Sequence, residues 1–534
     1  MSMMRGFVYF LLALAMALTG FALTGGPSWL LWPAFVFLAF GLLGIWDMTQ
    51  IRHSVMRNYP IFSHIRWIFE GMRPEFRQYF FESDLSGTPF NREQRSLVYQ
   101  RAKNVEDNKP FGTEKDVYES HYSWVTHSAS PRPVQEKQFR VAVGGKSCKA
   151  PYSLSVFNIS AMSFGSLSGN AIEALNKGAK EGGFAHDTGE GSISRYHRKH
   201  GGDLIWEIGS GYFGCRHEDG SFNPDLFASQ AATDQVKMIE IKLSQGAKPG
   251  HGGVLPGSKV SEEIAEARHV PVGRDCISPA RHSAFSTPVE LMQFIARLRE
   301  LSGGKPVGFK LCLGHHWEFA ALVKAMLKTG ICPDFIVVDG SEGGTGAAPL
   351  EFTNSIGSPL TESLIFVHNA LVGFSVRNNI RLIASGKVTT GFDIIKRLAL
   401  GADVCYSARA MMLALGCIQA RKCNSNHCPV GVTTQNPQLV AGLVVEDKYK
   451  RVANYHYATL KSVSEMIGAM GLQTPADLRS WHILRRTSPT EIKHYGEIYE
   501  FLNEGDLLKE PIPATYERAC KAASPDTFAH ASSS

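Results

Sequence analysis

From Pro151 onward the chain repeats one pattern: a short β-rich run ending in Gly, Ser or Thr, then a stretch with helical spacing of apolar residues. Eight runs can be counted, at residues 153–160, 184–188, 236–242, a weaker one ending at Ile277-Ser278, 306–313, 335–339, 380–384 and 403–406. Helical stretches such as 289–301, 317–329 and 392–400 lie between them. Short strands alternating with helices are how parallel βα units read. Eight units over about 260 residues are what a closed barrel needs, so the expected fold is an α/β (β/α)8 TIM barrel. A doubly wound sheet is the alternative, but no strand here is followed by the G-x-G-x-x-G fingerprint of dinucleotide-binding sheets.

The N-terminus is the one region whose composition decides its class. Residues 7–23 and 29–46 are two apolar runs joined by the uncharged Thr24-Gly25-Gly26-Pro27-Ser28. Each is close to the ~20 residues that span a bilayer. Arg5 precedes the first run, and Arg52, Arg57 and Arg66 follow the second, so the positive-inside bias puts both ends in the cytoplasm. Trp29, Trp32 and Trp46 sit at the ends of the second run, at the level of an interfacial belt. The expectation is a two-helix transmembrane anchor in the inner membrane, with the catalytic domain cytoplasmic. A cleaved signal peptide accounts for the first run only, and would export a cysteine cluster. The expected organisation is a hairpin over residues 1–48, an irregular approach segment packed on the barrel over 49–150, the barrel with its cysteine loop over 151–445, and a C-terminal helical extension and tail over 446–534.

In such a barrel the chemistry collects where strands end at the C-terminal face. Those ends are rich in small residues, Lys and Glu: Ser160-Ala161-Met162-Ser163, Thr188-Gly189-Glu190-Gly191, Lys242 through Lys248, Gly343-Gly344-Thr345-Gly346, and Ser385-Gly386-Lys387. The Gly343 run lets backbone N–H groups come close to a phosphate or a flavin ring, although a plain tight turn reads the same way. Ser385-Gly386-Lys387 and Ser407-Ala408-Arg409 give it company, since loops after strands seven and eight commonly hold a phosphate. Lys242, Gln245 and Lys248, with Arg268 some way on, would suit an anionic, dicarboxylate-type substrate. Structural ion pairs to Glu190 or Glu207 are the alternative. The pair His315-His316 is read as hydrogen-bonded structure.

Ten cysteines are too sparse for a disulfide scaffold, and three of them fall in Cys417-x5-Cys423-x4-Cys428-Pro429. Several thiolates held on one loop are what an iron–sulfur cluster needs. Zinc asks for closer pairs and a fourth ligand, for which His427 is the nearest candidate. Three ligands favour a three-iron cluster. The net charge of +6 comes without a dense basic run interleaved with aromatics, so nucleic acid is not an expected partner.

Residues 156–438 resemble the FMN-binding domain of glutamate synthases, and the chain is similar to that family's stand-alone members. The matching words are Ile159-Ser-Ala-Met-Ser-Phe-Gly165, Thr188-Gly-Glu-Gly191, Ile241-Lys-Leu-Ser-Gln-Gly-Ala-Lys-Pro-Gly250, Leu255-Pro-Gly257, Gly343-Gly-Thr-Gly346, and Ala414-Leu-Gly-Cys417 through Cys428-Pro-Val-Gly431. The resemblance implies a flavin and 2-oxoglutarate pocket at Ser160, Ala161, Met162, Ser163, Glu190, Lys242, Gln245, Lys248 and Arg268. It implies FMN binding at Gly343, Gly344, Thr345, Gly346, Gly386 and Ala408, and a 3Fe-4S cluster on Cys417, Cys423 and Cys428. The implied chemistry is capture of ammonia by 2-oxoglutarate and hydride delivery from reduced FMN, giving L-glutamate. Three departures stand out. The chain opens Met1-Ser2 without the family's N-terminal cysteine nucleophile, so no glutaminase of its own is expected. Trp206-Glu-Ile-Gly-Ser-Gly-Tyr-Phe-Gly214 replaces a family segment carrying Lys, Gln and Arg near the flavin side. With no second nucleotide-binding domain, electrons are expected from a reductase, a ferredoxin or a membrane carrier.

Overall fold

The computed structural model describes residues 3–134, 139–255, 257 and 260–531. Pro256, in the Leu255-Pro-Gly257 word, lies outside the described residues, as do Met1-Ser2 and the terminal serines of the tail. The chain forms two compact units, Met1–Arg92 and Glu93–Ser534.

In the larger unit, eight parallel strands close into a barrel. They are β1 (Phe157–Ile159), β2 (His186–Asp187), β3 (Leu204–Ile208), β4 (Val236–Lys242), β5 (Val307–Leu311), β6 (Phe335–Asp339), β7 (Arg381–Ser385) and β8 (Val404–Ser407). Each pairs with the next in sequence, and β8 returns to β1 through Ser407 opposite Ile159. The helices Pro288–Leu301, His316–Thr329 and Gly391–Ala399 lie within a residue of their expected places.

Two expected strands are corrected. Ile277-Ser278 belongs to a surface hairpin, Cys276–Ser278 antiparallel to Gly253–Leu255, and Ile277 is largely exposed. The missing barrel strand is β3, whose five residues are all buried and therefore show no alternation. The run 153–160 also divides. Tyr152–Ser155 pairs antiparallel with Arg140–Val143, and only Phe157–Ile159 enters the barrel. Val143 and Leu154 of this hairpin close the barrel floor against Ala185, Ile205, Met238, Val337, Ile383 and Val404.

Successive inward residues of one strand climb the barrel in steps of two. On β4 they are Met238 in the apolar floor, Glu240 in a charged middle layer, and Lys242 at the mouth. The middle layer holds the carboxylates of Asp187, Glu207 and Glu240 with ligand oxygens within 4.8 Å of one another, and Lys310 is paired to Glu207 and, at 3.3 Å, to Glu240. All four side chains are buried. Burial and mutual repulsion push Glu240 well above the usual carboxylate range and Asp187 up to about 7, because three carboxylates facing one ammonium cannot all ionise.

The tail is less helical than expected. Ile483–Ser488 and Glu491–His494 form a hairpin that pairs antiparallel with Ser123–Val125, joining the approach segment to the C-terminal part. The helix Val445–Ala469 packs on Gly169–Gly182.

The smaller unit contains the apolar helices Met3–Leu23 and Leu31–Thr49, joined through a turn of 3-10 helix at Ser28–Leu30. They meet through small residues: a Cβ at Gly41 would lie 2.4 Å from Leu12, and one at Gly44 would lie 2.6 Å from Val8. Both helices are long and apolar enough to cross a membrane, and only a few of their side chains are buried.

Candidate active site

Lys242 ends β4, Gln245 follows it and Glu190 follows β2, so residues more than fifty positions apart converge at the barrel mouth. Lys242 Nζ lies 3.0 Å from Glu190 Oε1 and donates to Gln245 Oε1 at 2.7 Å. Lys248 Nζ donates to the Gly252 carbonyl at 3.2 Å, and a Cβ on Gly253 would come 3.5 Å from that amine and 3.6 Å from Glu190. Glu190, Lys242, Gln245, Gly252 and Gly253 line a cleft of roughly 350 Å³, counting its open mouth, together with Ser210, Ser244, His251 and Ser278–Ala280, with Lys248 behind its wall. The surface hairpin mistaken for a barrel strand thus supplies one of its walls. Burial works against the Glu190 charge, but Lys242, Lys248 and Arg268 outweigh it and hold the carboxyl down at about 2. Burial also lowers the Lys248 amine, with Lys242 adding to the effect and Glu190 opposing it.

Ser163 and Arg268 sit to one side. Ser163 Oγ is 3.0 Å from Ser166 Oγ, and the loop after β2 presses on it so closely that a Cβ on Gly191 would be 2.7 Å from the Ser163 Cβ. Gly189, at φ +66°, would bring its Cβ 2.7 Å from the Ser163 nitrogen. Arg268 lies under these loops, buried, donating to the Phe164 carbonyl at 3.0 Å with its guanidinium 5.2 Å from the Phe213 ring centre. Glu207, weighed as a partner for Lys242, belongs to Lys310 one layer below.

Sequence reasoning missed the support behind Lys242. His282 Nε2 lies 2.8 Å from the Lys242 carbonyl, and His282 Nδ1 lies 3.1 Å from the Tyr212 hydroxyl. A carbonyl cannot donate, so Nε2 carries the proton, Nδ1 accepts from Tyr212, and the Tyr212 oxygen accepts from the Ala284 N–H at 3.1 Å. Burial pushes the His282 pKa down to about 4, which keeps this neutral tautomer. Tyr212 therefore fills its departure from the family segment as part of a backbone prop. Trp206 faces outward and stacks on Phe227 at 5.2 Å. No local spacing signals the prop, because its two side chains are 70 residues apart.

Across the mouth lie the loops after β6, β7 and β8. A Cβ on Gly344 would be 2.6 Å from Arg409 Nη1, and Arg409 Nη2 donates to the Glu342 carbonyl at 2.8 Å. Lys387 follows Gly386 in a left-handed conformation, φ +47°. Desolvation lowers the Lys387 amine first, and the nearby Arg409 charge adds to it. Two neighbouring cations beside bare glycine backbone form a donor set that fits a phosphate. Ser160, at the end of β1, donates its backbone N–H to the Ser407 carbonyl at 3.0 Å, tying the Ser160-Ala161-Met162 turn to the Ala408 loop.

Cys417, Cys423 and Cys428 follow the helix Arg409–Leu415 on a loop with left-handed Gln419, Arg421 and Asn426. Burial raises the Cys417 thiol to about 11, with Cys423 and Cys428 close enough to add to it. At Cys428 burial is outweighed by the backbone N–H groups of Val430, Val432 and Thr433 and by the nearby Thr433 hydroxyl, which favour the thiolate. Among the described residues, the only trio of ligand-type side chains with atoms within 4.8 Å of one another is the acid layer, not the cysteines. One zinc ion would draw thiolates to within about 4 Å, whereas a multi-iron cluster holds them further apart, so the donor set fits a cluster better. A Cβ on Gly346 would be 3.1 Å from Cys423 Cβ, and the Tyr99 hydroxyl donates to the Cys417 carbonyl at 2.7 Å. His315 and His316 are stacked on Trp317 and Phe366.

A family model described as the conserved region in glutamate synthase matches residues 98–473. The glutamate synthase large subunit-like protein YerD of Bacillus subtilis (strain 168) is 36% identical over 506 residues, covering 87% of this chain and 96% of the relative. The archaeal glutamate synthase (NADPH) of Methanocaldococcus jannaschii is 38% identical over 322 residues, or 60% of each chain. The match therefore spans 60% of that relative's length. Among solved structures, a mandelate oxidase variant with 2-hydroxy-phenylacetamide aligns at TM-score 0.40 and 14% identity, over 80% of this chain and 96% of its own.

Proposed function

The chain belongs to the glutamate synthase family and is an oxidoreductase, and from that premise we propose that it reductively aminates 2-oxoglutarate to L-glutamate using FMN and a 3Fe-4S cluster. The observation that carries this reading is Lys242, held between Glu190 and Gln245 at the mouth of a polar cleft with Lys248 and Arg268 buried close to Glu190. The balance is 2-oxoglutarate, ammonia, two electrons and two protons in, L-glutamate and water out. Bound FMN would supply hydride to the carbon that becomes C2 of glutamate, and the cluster would supply electrons.

The chain's own residues do the rest. Lys248, close to Gly253 on the cleft wall, would balance a carboxylate of the oxo acid, and Arg268, buried under the loops, adds positive charge from behind Glu190. Lys242 delivers a proton to the oxygen that leaves as water, and Glu190, ionised throughout, keeps that amine oriented. Gly343, Gly344, Gly386, Lys387 and Arg409 would hold the FMN phosphate, with Ser160, Ala161, Met162, Thr345, Gly346 and Ala408 around the flavin. Cys417, Cys423 and Cys428 would hold the cluster. The contact between Gly346 and Cys423 supports direct electron passage between the two cofactor sites.

Residues 3–49 are a transmembrane hairpin in this reading, and the positive-inside bias places the barrel in the cytoplasm. Ammonia is free or supplied by a partner, and the electron donor is a separate reductase, ferredoxin or membrane carrier. The test is anaerobic: quantify FMN, iron and sulfide on the purified protein, reduce with dithionite, add ammonia and 2-oxoglutarate, and assay glutamate. Glutamate on a protein with about three irons upholds the reading. Both cofactors without glutamate move the substrate to another oxo acid or amine, or leave an electron-transfer module.

A further inference from the structure

After the apolar helix Leu31–Thr49 the smaller unit carries a second kind of surface. A helix, Ser63–Phe76, runs on into a π-helical turn, Arg77–Phe81. Its start is tied to the hairpin's base. The buried Asp47 carboxylate accepts the Ile61 N–H at 2.7 Å, and its two oxygens lie 2.9 and 3.0 Å from His64 Nε2. Beyond His64 every side chain to Phe81 is exposed except Gln78.

At 100° per residue, Ile65, Phe69, Met72 and Phe76 fall on one stripe with Ile68 at its edge, while Arg66, Glu70, Arg73 and Arg77 fall on another. The stripe ends in Phe80 and Phe81, 75% and 78% exposed. A surface of this size left in water is rare in soluble proteins and marks an interaction site. Its surroundings select the partner. From Arg52 to Arg77 there are five arginines against Glu70 and Glu75, with no Lys or Asp. The apolar helices to which it is tied are themselves buried at only a few positions, and Trp46 is exposed. Arginines beside an aromatic stripe at the end of apolar helices match an anionic headgroup layer, where guanidinium meets phosphate and aromatic rings sit at the acyl boundary.

We propose that residues 63–81 lie in the headgroup region of an anionic bilayer, apolar stripe inward, as an interfacial helix set by the Asp47–His64 contact. This rests on the hairpin's reading as a membrane anchor, and the test separates the two. Full-length protein is reconstituted in vesicles of equal parts phosphatidylglycerol and phosphatidylcholine, alongside a Phe69→Glu/Met72→Glu variant. Alkaline carbonate extraction reports the anchor, and amide hydrogen exchange of peptides within 63–81 reports the docking. The expected result is a carbonate-resistant protein whose 63–81 amides exchange about tenfold more slowly than in the variant. Carbonate resistance with equal exchange in both proteins overturns the docking and leaves the anchor standing. Extraction by carbonate overturns both. Protection that persists without lipid and rises with protein concentration overturns the proposal in favour of a second copy of the chain.

Discussion

Lys242 Nζ stands 3.0 Å from Glu190 Oε1, so the ammonium at the end of β4 is locked to the loop after β2 before any substrate arrives. Its backbone is fixed from the opposite side by His282. Orientation is thus built into the fold, and substrate binding need only supply the reacting atoms. Lys242→Ala is expected to lower turnover by at least about a hundredfold while FMN and iron stay bound, since the amine is the proton donor and not a cofactor ligand. Loss of both cofactors in that variant, measured by absorbance and iron content, would remove the role.

Tyr212→Phe removes the hydroxyl that His282 Nδ1 and the Ala284 N–H both use. The buried His282 imidazole and the part-buried Ala284 N–H lose their partner, so the fold should lose about 1–3 kcal/mol in urea unfolding. KM for the oxo acid should change less than kcat, because the prop acts on the Lys242 backbone.

Lys310 is the only ammonium among the three carboxylates of the charged middle layer in the described residues. Lys310→Met leaves Glu207 and Glu240 buried without it and should cost ~3–5 kcal/mol. Adding Glu207→Gln should recover part of that loss. If the single variant unfolds at the wild-type urea concentration, the layer is not a charge balance.

Gly344→Val places a side chain where a Cβ already lies 2.6 Å from Arg409 Nη1. It should lower FMN occupancy severalfold at unchanged iron content, whereas Cys428→Ser should lose iron first. Loss of FMN and iron in equal measure in both would contradict separate sites.

Acid should weaken the fold through its buried imidazoles. His456, stacked on Phe184 at 3.9 Å, and His186 are both held neutral, their pKa values pushed down to about 3 by burial. The unfolded chain takes up these protons below about 6.5, and the folded chain does not. Their stabilising effect is therefore complete above pH 6.5 and is lost as pH falls toward 3, at about 1.4 kcal/mol per pH unit for each histidine. Asp187, raised to about 7, and Glu240, raised well above the carboxylate range, run the other way and offset two histidines, but His197, His282 and His368, also lowered by burial, add to the loss. Urea midpoints from pH 7.5 down to 5 should fall, and His456→Gln should flatten the slope.

What could be read from the chain alone was what is local. The glycine words and the cysteine loop each lie within a dozen residues, and they sit on the loops where barrel logic put them. β3 escaped because Leu204–Ile208 is buried on both faces, and the partner that makes Glu207 tolerable inside, Lys310, comes a hundred residues later. Cys276–Ser278 imitated a barrel strand because its alternating burial belongs to an antiparallel hairpin. The Tyr212–His282 prop and the Ser123–Val125 pairing are equally long-range, and neither leaves a periodic trace.

That last pairing bears on how the protein is made. Ser123 meets Arg485 across roughly 360 residues, and Ile159 of β1 waits for Ser407 of β8 to close the barrel. At ribosomal speeds of about 5–20 residues per second, one edge of the first strand stays open for tens of seconds before β8 exists. An edge open for that long is exposed to pairing with a neighbouring chain until β8 covers it.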